Sequence, residues 1–181
     1  MELIGYHGTT EKSAKDIINN GINLKSKKWL NDIGNGFYTY VKIDDLPFDP
    51  IKNAIKYAKT FKPKSKLAII QVKIEVEESS VLALITEDKK RELFALFQQI
   101  EQLGRKELGI PEKLKTGASK RNNQDGYMIE YLIKHQLILE PKVILETTHT
   151  DFDHVRSNFD NGVEMVIRDL SVIKEKKLIK L

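Results

Sequence analysis

The chain has 181 residues, enough for one globular domain and too few for two of ordinary size. Hydrophobic residues make up 40% and charged residues 31%, which excludes a wholly disordered chain, and a net charge of +4 is too mild to name a polyanionic partner. No apolar run approaches the ~18 residues of a membrane span. The opening MELIGYHGTT lacks the basic start and apolar stretch of a signal peptide. With no cysteine, disulfides, thiolate metal sites and cysteine nucleophiles are ruled out. The expectation is one cytoplasmic domain over residues 1–181 that makes no use of a membrane.

The run LIGYHG at 3–8 suits a strand. Thr10 then reads as an N-cap, Ala14, Ile17 and Ile18 fall at helical spacing, and Asn20-Gly21 supplies a stop. The turn between strand and helix is expected to hold His7-Gly8-Thr9. After a polar stretch through Trp29, Gly34-Asn35-Gly36 leads into Phe37-Tyr38-Thr39-Tyr40-Val41, a strand entered from a tight turn. Residues 51–60 read as a short amphipathic helix after Pro50, and LAIIQVKIEV at 67–76 as a central strand. Thr86-Glu87-Asp88 opens another helix, with Leu93, Leu96, Phe97, Ile100 and Leu103 on one stripe. Residues 125–136 form a further helix. Strand-like runs at 142–146, 163–167 and 176–181 close the chain. Strands cluster at both ends with helices between, which is α+β rather than regular βαβ alternation.

The excess charge is localised. Between Gly104 and Gln124 stand Arg105, Lys106, Lys113, Lys115, Lys120 and Arg121 against Glu107 and Glu112, an excess equal to that of the whole chain. A solvated loop is the ordinary fate of such a segment. The sharper reading is a loop that touches a polyanion.

Several motifs fail on inspection. Gly34-x-Gly36 lacks the third glycine of a dinucleotide loop, since Thr39 stands there, and a strand follows instead of a helix. His149-Thr150-Asp151-Phe152-Asp153-His154 holds two imidazoles and two carboxylates, but its spacing fits no metal motif, and a solvated loop is the favoured reading. There is neither a nucleophile elbow nor a phosphate-binding P-loop.

Three pieces remain. They are Tyr6-His7-Gly8-Thr9-Thr10, Gly34-Asn35-Gly36-Phe37-Tyr38-Thr39-Tyr40, and Gly162-Val163-Glu164-Met165-Val166-Ile167-Arg168-Asp169. A glutamate inside an apolar run is the least easily dismissed, because a buried carboxylate needs a partner. In this order the pieces resemble ADP-ribosyltransferases of the poly(ADP-ribose) polymerase-like branch, whose signature is a His-Tyr-Glu triad. Trp29-Leu30 ahead of Gly34–Tyr38 is similar to small bacterial and phage members. The resemblance covers both ends of the chain and leaves about 86–140 as a family-specific helical insert. It implies a split antiparallel β-sheet core with flanking helices.

The resemblance also implies NAD⁺ as substrate, no metal, and catalytic roles for His7, Tyr38 and Glu164. Breaking the nicotinamide–ribose bond expels a neutral group from a cationic ring and leaves an oxocarbenium-like ribose. Glu164 would stabilise that charge and orient or deprotonate the acceptor. Tyr38 and Tyr57 would flank the nicotinamide, Gly8 would let its backbone approach the carboxamide, His7 would bond a ribose hydroxyl, and Thr9 would assist. Ala54 stands where many relatives carry a serine, with Asn53 beside it. The expected activity is mono-ADP-ribosyl transfer to a nucleic-acid or protein acceptor, in a toxin or phage-defence effector, for which an antitoxin would be a further partner. The competing readings are an NAD⁺ glycohydrolase and a non-catalytic domain that binds nucleic acid or NAD⁺.

Overall fold

The computed structural model describes residues 1–24, 31–101, 125–152, 157 and 159–181. Trp29, Leu30, the basic segment 104–124, Asp153 and His154 lie outside the described residues.

Strand β1 (Glu2–Thr10) passes directly into helix α1 (Glu11–Asn20). Thr10 is still extended and its hydroxyl accepts the Ser13 N–H at 3.1 Å, which caps one of the helix's unpaired amides. Gly21, at φ +86°, takes the left-handed turn that ends the helix. Strand β2 (Phe37–Val41) follows, then α2 (Pro50–Phe61). Asp49 caps α2 by accepting the Ile51 and Lys52 amides at 3.0 Å each, and Pro50 occupies the first turn, where no N–H is needed. Next come β3 (Leu67–Glu75), β4 (Val81–Leu84), α3 (Glu87–Glu101) and α4 (Asp125–Lys134). Strands β5 (Val143–Thr148), β6 (Gly162–Ile167) and β7 (Ile173–Lys180) complete the chain.

The protein is α+β, with one mixed sheet in the order β4–β5–β6–β2–β1–β3–β7. All neighbours are antiparallel except β4 and β5. That parallel pair departs from the expected antiparallel core, and the sequence between the two strands accounts for it. Parallel neighbours need a long crossover, and α3 and α4 both lie between β4 and β5. The expected insert thus contributes both helices.

His7-Gly8-Thr9 is not in a turn. Strand β1 pairs with β3 residue by residue from Glu2 to Thr10, so the ladder carries all three into the sheet before α1 begins. Strand β3 is interior but lies next to the β7 edge strand. It is buried on both faces at Ala68, Ile69 and Ile70, which is why its first half reads as a continuous apolar run.

The two faces have different covers. Phe37, Val41, Val143, Leu145, Val163, Met165 and Ile167 point to the face on which Ala14 of α1 packs. The opposite face holds two further clusters. One joins Tyr40 and Ile69 to Ala54 of α2, and the other joins Tyr38, Ile144 and Val166 to Ile129 of α4. Helix α3 adds Leu93 to the second cluster.

Candidate functional site

Strands alternate their side chains, and residues directly opposed across a ladder share a face. Tyr6 opposes Tyr40, Tyr40 opposes Glu164, and Glu164 opposes Glu146. One polar row therefore crosses the sheet from β1 to β5, on the face that α2 and α4 cover. Tyr38, two residues from Tyr40, lies on the same face. Tyr57 comes down from α2, its ring 6.4 Å from that of Tyr40 and nearly edge-on at 60°.

Glu164 is half-buried and within hydrogen-bonding reach of the Tyr40 hydroxyl. The Tyr40 oxygen lies 2.8 Å from Thr150 Oγ1. With Thr150 donating to Tyr40 and Tyr40 donating to Glu164, the chain of hydrogen bonds is consistent. Burial pushes the Tyr40 phenol far above its ordinary value, and the charge of Glu164 adds to the shift. Tyr40 is therefore a fixed donor at any working pH.

Tyr38 is shifted upward too, by burial foremost, with the Ile33 amide opposing and Glu164 reinforcing. Its hydroxyl accepts the Ile33 N–H at 3.0 Å and donates to the Gly34 carbonyl at 2.7 Å. The phenol thereby ties β2 to the turn before it. Gly34 sits at φ +87°, and an added Cβ would lie 2.5 Å from Glu130 Oε1. The Glu130 carboxylate also accepts the Asn35 amide at 2.6 Å and pairs with Arg168 at the end of β6. Helix α4, the glycine turn and β6 are clamped together at this point.

His7 leaves β1 on the face opposite to Tyr6, Tyr40 and Glu164. The β1–β2 ladder runs over only two pairs, Gly5–Val41 and Tyr6–Tyr40. Immediately beyond it the imidazole Nδ1 stands 2.8 Å from the Tyr38 carbonyl, with its ring 4.6 Å from Phe37. A carbonyl only accepts, so Nδ1 carries the proton in this contact. The structure thus brings Tyr38, Tyr57 and Glu164 to one face and links His7 to them through the Tyr38 backbone.

Gly8 shares the face of Tyr6, and α2 lies directly on it. A Cβ there would sit 1.9 Å from the Ala54 carbonyl oxygen. The lack of a side chain at Gly8 is thus accounted for by helix packing. Thr9 is buried on the His7 side of the strand. Asn53 is also committed, since its Nδ2 donates to the Asn161 carbonyl at 2.8 Å and holds α2 against the start of β6.

Sequence reasoning did not single out Tyr40, Thr150 or Glu146. Tyr40 was available by period two from Tyr38. Glu146 ends an apolar run, VILE, by the same pattern that drew attention to Glu164. Thr150 carried no signal, because a loop brings it to Tyr40. A cavity of about 690 Å³ at the outer end of α4, with Glu130, Lys134, Leu139 and Arg168 in its wall, includes none of His7, Tyr38, Tyr40 or Glu164. Among the described residues, no three His, Cys, Asp or Glu side chains are grouped to hold a metal ion, and no helix is long and apolar enough to cross a membrane.

No protein-family model matches this chain, and no curated protein matches it significantly. Chemically, the site offers a half-buried carboxylate opposed across the ladder by a buried phenol. Tyr38 shares its face and Tyr57 packs on Tyr40, beside the place where β1 and β2 stop pairing.

Proposed function

We propose that the protein is an NAD⁺-dependent mono-ADP-ribosyltransferase. The observation that carries the reading is the placement of Glu164, fixed by Tyr40 on the same sheet face as Tyr38 and Tyr57. A half-buried anion among flat rings suits a ligand that is cationic, planar and joined to a sugar. The nicotinamide end of NAD⁺ is such a ligand.

The reaction on this reading breaks the C1′–N bond, and its electron pair leaves with neutral nicotinamide. Glu164 stabilises the positive charge that grows on the ribose, where a fixed carboxylate in a partly desolvated site acts more strongly than in water. A nucleophile of the acceptor then bonds to C1′ and gives up its proton, for which Glu164 is the nearest base on the row. Tyr40 holds Glu164 in place throughout. Tyr57 and the exposed part of Tyr38 contribute contact to the ring, and His7 stiffens β2 through the Tyr38 carbonyl. The acceptor is a macromolecule on this reading, protein or nucleic acid, and transfer to water is the competing outcome.

Incubation with NAD⁺ labelled in the adenylate portion tests the reading. Label covalently attached to protein or nucleic acid, dependent on Glu164, supports transfer. Label only in free ADP-ribose makes the protein a glycohydrolase, and intact NAD⁺ removes the reading.

A further inference from the structure

The row carries a second glutamate. Glu146 sits directly across the β5–β6 ladder from Glu164, and opposed residues hold their Cβ atoms about 4.5–5.5 Å apart. Glu146 is 9% exposed, and its Oε2 is buried with no hydrogen-bond partner among the described residues. An ionised carboxylate there would keep a full charge out of water and leave an acceptor unsatisfied.

Among the described residues, charged groups on β6, just before it, and on α3 and α4 act on Glu146. They are Glu164 on β6, Asp160 just before that strand, Asp125 at the start of α4 and Lys90 on α3, with the Tyr38 phenol on β2. Among the described residues Lys90 is the cation of this set, and it is shared. Its Nζ donates to the Thr147 carbonyl at 3.1 Å and lies 3.6 Å from Asp160 and 3.8 Å from Glu87.

We propose that Glu146 is a positioning residue for Glu164, holding a proton so that the pair carries one negative charge and that charge stays on Glu164. This rests on the reading of Glu164 given above. Two carboxylates opposed across a ladder, one of them buried, disfavour each other's ionisation. Glu146, the more buried of the two, is the natural holder of the proton. Burial foremost, then the charge of Asp125, pushes it up to about 8, with Lys90 opposing and Glu164 reinforcing. Deprotonation of Glu146 would set a second anion against Glu164, raise the proton affinity of Glu164 and drive the two side chains apart. Activity then falls on the alkaline side.

The test titrates the glutamate carboxyl carbons by NMR in the wild type, Glu146→Gln and Glu164→Gln. The expected result is one signal, missing from Glu146→Gln, that titrates near 8 and moves down in Glu164→Gln. A Glu146 signal in the ordinary carboxylate range, or one unmoved by Glu164→Gln, overturns the proposal whether or not NAD⁺ is cleaved. A second readout is the pH profile of NAD⁺ cleavage. Glutamine keeps the shape and neutrality of the protonated acid, so folded Glu146→Gln is expected to stay active and lose the alkaline fall. A fall of unchanged position in that variant also overturns it. A coupled titration without any cleavage by the wild type would instead overturn the NAD⁺ reading and leave the shared charge standing.

Discussion

Gly8 and Glu146 show how one sheet face sets what single residues can be. The Ala54 carbonyl oxygen would lie 1.9 Å from a Cβ at Gly8, and a backbone atom cannot swing aside. Gly8→Ala is therefore expected to push α2 off β1 and cost about 1–3 kcal/mol, read as a lowered thermal midpoint. An unchanged melt would contradict the contact. At Glu146 the effect is one of pH. The folded-state value is raised above the unfolded one, to about 8, so the stabilisation of the protonated form is complete below the unfolded value and is lost as pH rises through 8. Each unit of separation corresponds to about 1.4 kcal/mol. Wild-type stability is expected to decline between roughly pH 5 and 8 more steeply than that of Glu146→Gln in parallel denaturant titrations. Equal slopes would contradict the shift. Glu164 was legible in the sequence because it interrupts an apolar run. Glu146 follows the same pattern but ends its run, where a polar residue looks like the start of a loop.

At the level of elements, the clamp between α4, the glycine turn and β6 decides whether Tyr38 stays in place. Arg168 and Glu130 form a two-pronged ion pair with side chains 10% and 19% exposed. Arg168 also donates to the Asn35 carbonyl at 3.1 Å. Removing Arg168 takes both guanidinium bonds from the Glu130 carboxylate, which keeps the Asn35 amide, so Arg168→Ala is expected to cost about 1–3 kcal/mol. Replacing both residues with apolar ones is expected to cost much less. If the single and double variants lose the same stability, the pair is not what holds α4 to the turn. Most elements were legible from local signals. Thr10 and Gly21 bound α1, Asp49 and Pro50 start α2, and apolar runs mark β3, β5 and β6. What failed were features set by partners in space. His7-Gly8-Thr9 belongs to β1 because β3 pairs with it to the end, and the four-residue β4 is a strand because β5 lies beside it. Likewise no local signal announces that α3 and α4 form the crossover between parallel strands.

Across the whole molecule, the sheet sorts its two faces by chemistry. The face with Ala14 of α1 buries an apolar cluster with the neutral Thr9, Thr39 and Thr147 among it, whereas the face under α2 and α4 carries the row through Tyr40, Glu164 and Glu146. The α+β class was legible; Tyr38 and Glu164 were grouped only by the resemblance, and the register that sets Glu164 opposite Tyr40 and Tyr38 opposite Val166 was not legible. Nor was the linkage of His7 through a backbone carbonyl, since it depends on β1 and β2 parting after two residue pairs. The central claim is that Glu164 serves the cleavage of NAD⁺. It is tested most directly by measuring nicotinamide release from NAD⁺ by the wild type and by Glu164→Gln, with both shown to be folded. The expected result is release by the wild type and a loss on the order of 10²–10³ in rate for the variant, as for removal of one electrostatic group from a preorganised site. Equal rates in the two proteins, or no release by the wild type, would contradict it.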